Sequence, residues 1–390
     1  MRLRKDASQR HAPFAPRAAM NTGNPAARLL LAPVAAMLRP RVIPPIPRRL
    51  SGILIVRQHD QLGDMLCVIP TLKTLRRAYP KTAITLVASP LNFEIMKNHP
   101  ALSRVLLFDK KAVTSTPAGL RNFLRALRRE HYDAAIVPST VSVSLTSGII
   151  ARLSGAPVRI GPGRLEGRDN PSKFLFTHPV DLDWSSSPAR HQAARNADIL
   201  GPLGLQADDL STDLGLTPDE LEHGRLLVEP LRKKFHRLVG IHPGAAKQGN
   251  RWPVESFVRL AESMYAGFGN GLVVTIGTKD AGVYDSLRQR LKVPHHFIRG
   301  ESIRTVASVI AALDLFVSND TGPLHIAGAL PVPVLGLFGP TDPVEWAPIG
   351  NNNHYLCAAD RLMSSIGPGE VFGLCEVILA GFKRETPRFD

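Results

Sequence analysis

One polar turn between two apolar segments carries the residues best suited to bind an anion. It runs SNDTGP over residues 318–323. Thr321 supplies a hydroxyl, Gly322 lets a ligand approach the backbone, and the free N–H groups of a following helix point at whatever binds there. Such a helix start binds phosphate without a metal. The turn therefore predicts a phosphate site, with the alternative that Asp320 or Thr321 only caps the helix.

The segments around this turn indicate where it lies in a fold. Leu313–Val317 is short, largely apolar and bounded by polar residues, as is typical of a strand buried in a parallel sheet. Leu324–Leu330 is small and apolar enough for a helix against that sheet. Val334–Phe338 is a second strand, and it ends in another polar turn, Gly339–Pro343. Both turns follow strands, and open α/β sheets bind ligands at that edge.

Three segments of this chain resemble one family. The runs SNDTGPLHIAGAL and LFGPTDPVEWAP together are similar to the donor-binding signature of glycosyltransferase family 9, the ADP-heptose:lipopolysaccharide heptosyltransferases. The two further segments are the Gly63-Asp64 pair and the HPGA loop with its Arg-Trp-Pro. These matches follow the family's order and span residues 53–348. A single glycine-rich loop would be weak evidence, whereas three segments in order are specific.

The resemblance implies a fold and an activity. The fold is α/β of the GT-B type, with two Rossmann-like doubly wound parallel-sheet domains facing a central cleft. The activity is an inverting, metal-independent transfer of a heptose from ADP-heptose to a lipopolysaccharide inner-core acceptor, a lipid-linked saccharide, without a cofactor. Two alternatives are a GT-B enzyme with another nucleotide-sugar donor and a non-catalytic sugar-nucleotide-binding protein.

Asp64 is, by this resemblance, the general base. It follows the predicted strand Ile53–Val56 and precedes the predicted helix Met65–Tyr79. The reaction needs a carboxylate that accepts the proton of the acceptor hydroxyl as that oxygen attacks the sugar. The alternative is a first-turn carboxylate that only favours the helix dipole. Asp60 is the competing carboxylate.

The resemblance also implies a set of donor-binding residues in the second domain. They are Gly244, Lys247, Arg251, Asp280, Asp320, Thr321, Gly322 and His325. Asp280 follows the predicted strand Gly271–Ile276 and is the candidate for the ribose hydroxyls.

The loop after the predicted strand Leu238–Ala245 departs from the family pattern. Family members commonly have Lys-Arg-Trp-Pro where this chain has Asn250-Arg251-Trp252-Pro253. Lys247 lies on the same loop and is the candidate replacement for the missing lysine, together with Arg251. A cation is needed because the leaving diphosphate gains negative charge in the transition state. The alternative is that both residues form a solvated charge pair.

Strands and helices alternate along the chain, which favours doubly wound parallel sheets and right-handed crossovers. The predicted domains are 51–225, which binds the acceptor, and 226–349, which binds the nucleotide-sugar. We expect residues 350–390 to pack back toward the first domain.

Residues 1–50 hold most of the positive charge. They contain ten basic residues and one acidic residue, a net charge of +9 out of +15 for the chain. This composition predicts a basic extension that is disordered or lies on anionic lipid. The alternatives are a solvated extension and a misassigned start codon. The expected location is cytoplasmic, peripheral on the cytoplasmic face of the inner membrane.

Composition and short motifs exclude other classes of protein. With 390 residues, 44% of them hydrophobic and 21% charged, the chain is globular and long enough for two domains. Three widely spaced cysteines indicate neither a disulfide framework nor a zinc site. No nucleic-acid-binding motif occurs, so nucleic acid is not an expected partner.

Several polar residues between the two domains allow other interpretations. Asp181-Leu182-Asp183 matches the Asp-x-Asp pattern of metal-dependent glycosyltransferases. No predicted diphosphate loop is near it in the sequence, so we interpret the match as chance and expect no metal. Arg164, Arg168 and Lys173 could meet an anionic acceptor, although a solvated basic loop accounts for them equally well.

Overall fold

The computed structural model describes residues 40, 42–58 and 61–382. They form two α/β units, of which the first ends at Leu210 and the second begins at Ser211. Most of the basic extension, and also His59 and Asp60, lie outside the described residues, so the expectations for the extension and for Asp60 stay predictions. Among the described residues, no helix has both the length and the apolar character needed to cross a bilayer.

The first unit is built on a seven-stranded sheet with the order β3-β2-β1-β4-β5-β6, in which β7 also pairs with β5. The strands are β1 (Gly52–Arg57), β2 (Ala83–Ala88), β3 (Arg104–Leu107), β4 (Ala134–Ile136), β5 (Val158–Leu165), β6 (Arg168–Asp169) and β7 (His178–Leu182). All of these pairs are parallel except β5 with β6. The apolar run of β1 is buried along its whole length, as a central strand requires.

Helices connect these strands. They are α1 (Leu62–Leu66), α2 (Ile69–Ala78), α3 (Pro90–Met96), α4 (Lys110–Thr114), α5 (Pro117–Leu127), α6 (Leu145–Leu153) and α7 (Gln192–Ala197). The predicted single helix Met65–Tyr79 is wrong, because the chain breaks at Cys67 and Val68. Pro70, in the first turn of α2, has no N–H to donate to a preceding turn. The short helix α4 was not predicted.

The second unit has a six-stranded sheet with the order β10-β9-β8-β11-β12-β13. Its strands are β8 (Leu238–His242), β9 (Gly271–Ile276), β10 (His295–Arg299), β11 (Leu315–Asn319), β12 (Val334–Phe338) and β13 (Asn353–Cys357). Every pair is parallel, and the register sets Ser318 opposite His242 and Asn319 opposite Leu337. The loops that follow β8, β11 and β12 therefore leave the sheet at one edge.

The helices of the second unit are α8 (Pro218–Arg232), α9 (Val254–Phe268), α10 (Ala281–Arg290), α11 (Ile303–Ala311), α12 (Gly322–Gly328), α13 (Pro343–Trp346) and α14 (Pro368–Gly381). Helix α8 was not predicted, and the predicted domain boundary at residues 225 and 226 lies inside it. A capping box starts α8: Thr217 accepts from the Glu220 N–H, and the Glu220 carboxylate accepts from the Thr217 N–H.

The last helix, α14, belongs to the core of the second unit, where Val371 and Cys375 are fully buried. The expectation that residues 350–390 pack back toward the first domain stays a prediction. Phe372 packs on Phe268 of α9 with 5.6 Å between ring centroids. Apolar burial explains this packing, because α14 covers the apolar face of α9.

Candidate active site

Asp64 lies in α1, directly after the carboxyl end of β1. Its residue is 8% exposed, and its Oδ1 lies 3.5 Å from a terminal guanidinium nitrogen of Arg57, the last residue of β1. Because α1 has only five residues, few aligned peptide dipoles stand behind Asp64. This weakens the alternative in which the carboxylate only favours a helix dipole.

Arg57 is the buried cation that holds this carboxylate. It is 4% exposed, and its Nη1 donates to the Pro138 carbonyl at 2.9 Å. Its Nε finds no partner among the described residues. Burial lowers the pKa of Arg57, while the charge of Asp64 acts against that shift. A guanidinium keeps its proton in such surroundings, so Arg57 presents a positive charge to Asp64.

The Asp64 carboxylate is short of hydrogen-bond donors. Its Oδ1 is buried and accepts no hydrogen bond from any described residue. Donors to a carboxylate stabilise the charged form and weaken the base, whereas a nearby cation keeps the group ionised without occupying its oxygens. The Arg57 guanidinium is therefore the nearest charged partner of this carboxylate oxygen.

A cleft of about 590 Å³ lies beside this region, where β1, β2 and β3 end. Gln58 after β1, Ser89 after β2, Asp109, and Lys110 and Lys111 of α4 line it. Gln58 also donates to the Ser144 hydroxyl at 3.1 Å. Amide, hydroxyl and ammonium groups around one cleft suit a hydroxylated, anionic ligand.

Asn319 ties together the loops at the edge of the second sheet. It ends β11 and is fully buried. Its Oδ1 accepts from the Trp252 N–H at 3.0 Å, and its Nδ2 donates to the carbonyls of Pro243 at 2.9 Å and Gly244 at 3.3 Å. One side chain thus fixes both ends of the loop after β8, because a buried amide left unpaired is costly.

Asn250 occupies the position where the family commonly has lysine. Its Nδ2 donates to Asp320 Oδ2 at 2.9 Å, with longer contacts of 3.3 Å to the Asp320 carbonyl and to the Thr341 hydroxyl. The neutral amide therefore joins the turn after β11 to the turn after β12. No charge is added at this point, in contrast to a lysine.

Arg251, Asp280 and Gly244 meet in one cluster. Arg251 donates from Nε to the Ala245 carbonyl at 2.7 Å and from Nη2 to Asp280 Oδ1 at 3.2 Å. A Cβ at Gly244 would lie 2.3 Å from Asp280 Oδ2, so a larger residue there would displace the Asp280 carboxylate. Burial raises the pKa of Asp280, while Arg251 acts against that shift. Arg251 is thus paired with Asp280, and its contact with a phosphate stays a prediction.

The turn 318–323 places Thr321 at the start of α12. Thr321 is the N-cap residue, yet its side chain makes no capping hydrogen bond. The hydroxyl is therefore not used by the helix, contrary to the capping alternative for this residue. His325 lies on α12 with Nε2 at 3.9 Å from Asp320 Oδ1 and packs edge-on against Trp346. Gly322 follows Thr321 as the first residue of the helix.

His242 was not singled out from the sequence. It ends β8, is buried, and its Nδ1 lies 2.9 Å from the Thr275 hydroxyl. That hydroxyl also donates to the Ile241 carbonyl at 3.3 Å, which leaves it free to accept from an Nδ1–H. Burial lowers the pKa of His242 to about 4, so the imidazole is neutral. Its Nε2 is then an acceptor beside Gly244.

The structure brings the predicted donor residues of the second unit to one sheet edge. They differ in whether their side chains are bound to neighbouring residues. Asp320, Arg251 and Asp280 are bound to neighbouring side chains, whereas Lys247 is exposed and forms no ion pair with a described residue. Asn319, Asn250 and His242 are additions from the structure. A polar residue at the end of a buried strand is the one sequence signal that could have indicated Asn319 and His242.

The Asp-x-Asp pattern lies elsewhere. Asp181 is on β7 of the first unit and Asp183 follows it, both exposed, and the Asp183 Oδ1 accepts from the Ser185 N–H at 3.0 Å. Hydrogen bonds from Ser185 lower the pKa of Asp183. Within the described part of the chain, no group of three or more His, Cys, Asp or Glu is placed to hold a metal ion.

Two Rossmann-like units, each with its polar residues at the carboxyl edge of a parallel sheet, are typical of the GT-B fold. A solved family 9 glycosyl transferase from Veillonella parvula has this fold, with a TM-score of 0.75 and 21% identity over 86% of this chain and 99% of that one. The E. coli heptosyltransferase WaaC with ADP-2-deoxy-2-fluoro heptose gives a TM-score of 0.65 and 21% identity, over 84% and 99% of the two chains.

Sequence comparison identifies the family. The model for glycosyltransferase family 9 (heptosyltransferase) matches residues 120–367, more than half of the chain. This chain therefore belongs to glycosyltransferase family 9 and is an enzyme of that family. It is 25% identical to lipopolysaccharide heptosyltransferase 3 of Escherichia coli over 76% of this chain and 86% of that protein. The family and the fold expected from the sequence are confirmed.

Proposed function

We propose that this enzyme transfers a heptose from ADP-heptose to the inner core of a lipid-linked lipopolysaccharide acceptor, at the cytoplasmic face of the inner membrane. The names of its relatives support the heptose and the lipopolysaccharide. The observation that carries the proposal is the buried Asp64 carboxylate, which is paired with Arg57 and has an oxygen that accepts no hydrogen bond from a described residue.

The chemical step is a single displacement with Asp64 as the base. The acceptor hydroxyl oxygen attacks the anomeric carbon of the heptose while Asp64 takes its proton. The bond from the anomeric carbon to the phosphate oxygen breaks, and its electron pair leaves with the diphosphate. One displacement from the opposite side inverts the anomeric configuration, and no covalent sugar-enzyme intermediate is needed.

Arg57 positions Asp64 for the reaction in this proposal. Its guanidinium lies 3.5 Å from the carboxylate oxygen Oδ1. Because Arg57 is itself fixed by the Pro138 carbonyl, the carboxylate has a defined position at the end of β1.

The second unit takes the nucleotide-sugar in this proposal. The Thr321 hydroxyl and the backbone at Gly322 bind the diphosphate, and Lys247 adds a positive charge as the leaving group forms. Asp280 faces the ribose, and Gly244 and His325 lie on either side of the diphosphate turn. Asp320 and Arg251 hold these loops in place through Asn250 and Asp280. These donors make a divalent cation unnecessary.

A donor panel tests the proposal. Purified enzyme is incubated with a heptose-free lipopolysaccharide core and with ADP-heptose, ADP-glucose, UDP-glucose or GDP-mannose, and products are analysed by mass spectrometry and NMR. We expect addition of one heptose from ADP-heptose with the inverted anomeric configuration. Transfer only from another nucleotide-sugar would reject the donor assignment. Donor binding without any transfer would favour the non-catalytic alternative.

A further inference from the structure

We propose that the first unit carries a structured surface that docks on anionic phospholipid. The surface, here called the cationic face, consists of five exposed basic residues on and beside α4 and α5. They are Lys110, Lys111, Arg121, Arg125 and Arg129. The proposal rests on the proposed function in one respect, because a lipid-linked acceptor requires the enzyme to work at a membrane surface.

Helix α5 separates its apolar and cationic sides. Thr116 caps it by accepting from the Gly119 N–H at 3.0 Å, and Phe123 and Leu127 are buried in the core of the unit. Arg121 and Arg125 are four residues apart and exposed, so they lie on one side of the helix, away from the buried pair. No acidic residue occurs in α5.

The charges of the cationic face are not neutralised locally. None of its five residues forms an ion pair with a described residue. Two acidic residues adjoin it in the chain: Glu130 lies 3.6 Å from Arg104, and Asp109, which caps α4 by accepting from the Ala112 N–H, is the one acidic neighbour set against five cations. A patch with this excess of positive charge attracts a polyanionic surface.

Helices α4 and α5 form one continuous surface. A Cβ on Gly119 of α5 would lie 2.3 Å from the Ala112 carbonyl of α4, so the two helices are in close contact. Lys110 and Lys111 belong to this surface and also line the cleft of the first unit. The cationic face therefore adjoins the opening through which a saccharide would reach the carboxyl ends of β1 to β3.

Exposed leucines favour lipid as the occupant over nucleic acid. These leucines are Leu91 on the cleft wall (42% exposed), Leu107 before α4 (42%) and Leu120 on α5 (45%). Leucine beside arginine and lysine is typical of surfaces that lie at a bilayer interface. Single-stranded nucleic acid would need exposed aromatic rings for stacking, and Phe108 and Phe123 are both buried.

Vesicle flotation of the full chain tests this inference. Vesicles contain phosphatidylcholine with or without phosphatidylglycerol, and the variant combines Arg121→Gln, Arg125→Gln and Arg129→Gln. The control combines Lys234→Gln, Arg288→Gln and Lys292→Gln, three exposed cations of the second unit, so its net charge changes equally. Because each cation near an anionic surface contributes roughly fivefold to partitioning, the variant should bind phosphatidylglycerol vesicles about 100-fold more weakly.

A lipid-docking surface and a general effect of net charge predict different outcomes. The control should bind like wild type, and the arginine variant should retain turnover on a soluble acceptor fragment. Equal losses in both variants, or no loss in the arginine variant, would overturn the inference. The inference would also be overturned if the protein bound a single-stranded oligonucleotide more tightly than vesicles at equal phosphate concentration, and if the arginine variant lost that binding. If the purified protein shows no transferase activity, the proposed function is rejected. The vesicle experiment still decides the lipid-docking inference, because it does not depend on turnover.

Discussion

The carboxyl edges of the two sheets are built in different ways. At the edge of the second sheet, side chains bind one another: Asn319 holds the loop after β8, and Asn250 joins Asp320 to Thr341. At the edge of the first sheet, Asp64 has a cation nearby but no hydrogen bond from a described residue to its buried oxygen.

This difference corresponds to two tasks. A phosphate is bound well by a rigid frame of N–H and hydroxyl donors, because the frame need not reorganise as charge develops. A general base must keep an oxygen available for a proton, and every additional donor would weaken it. We infer that the second edge is built for binding and the first for proton transfer.

The largest expected effect comes from removing the base. We expect Asp64→Asn to lower turnover by roughly 100-fold to 10,000-fold, because the amide cannot accept the acceptor's proton. Donor affinity, measured by calorimetry, should stay close to wild type. Near-normal turnover in this variant would move the role of base to another group, with Asp60 the first to test.

Replacing the buried cation should have a smaller effect on the rate. In Arg57→Met the Asp64 carboxylate loses the guanidinium 3.5 Å from its Oδ1, and with it a defined position at the end of β1. We expect kcat/KM to fall by about 10-fold to 100-fold, with donor affinity measured by calorimetry close to wild type.

Arg57→Lys is the matched control for this change. It keeps a positive charge beside Asp64, so its kcat/KM should lie closer to that of wild type. If both variants lose activity equally, the charge of Arg57 has no part in positioning Asp64.

A smaller effect is expected at the second edge. Thr321→Val removes a hydroxyl that the helix does not use, so any loss is due to the ligand. We expect the apparent donor Kd to rise by about 1–3 kcal/mol in free energy, the cost of an unmade buried hydrogen bond. Thr321→Ser should restore most of the affinity. A normal Kd in the valine variant would remove Thr321 from the donor site.

Chelation and the Asp-x-Asp pattern give the smallest expected effect. EDTA should leave transfer unchanged, because the diphosphate is met by Thr321, Gly322 and Lys247. Asp183→Asn should also be neutral, since that carboxylate is exposed and bonded to Ser185. Activity lost with EDTA and restored by magnesium or manganese, together with an inactive Asp183→Asn, would contradict the metal-free mechanism.

Local patterns predicted the fold well where strands and turns alternate. The apolar runs that became β1 and β12, and the turn at Thr321, were recognisable because burial and turn chemistry both act over a few residues. Helix α8 was missed although Thr217 and Glu220 have the spacing of a capping box. The break between α1 and α2 was also predictable from Pro70, but the apolar periodicity continued across it and suggested one helix.

The hydrogen bonds that connect the loops of the site could not be predicted from the sequence. Asn319 and Pro243 are 76 residues apart, and Asn250 and Thr341 are 91 residues apart. No local pattern carries a hydrogen bond between such positions. The missing family lysine at position 250 made Lys247 and Arg251 the candidate phosphate contacts, and the structure shows that the asparagine there joins two loops.

A crystal structure with bound ADP-heptose tests the difference between the two edges most directly. We expect the diphosphate at the second edge, with its oxygens within hydrogen-bond distance of the Thr321 hydroxyl and the Gly322 N–H, and with Lys247 moved toward it. Asp64 should remain paired with Arg57 and free of phosphate. A diphosphate bound in the first-unit cleft, or held through a metal by Asp181 and Asp183, would contradict this division of tasks.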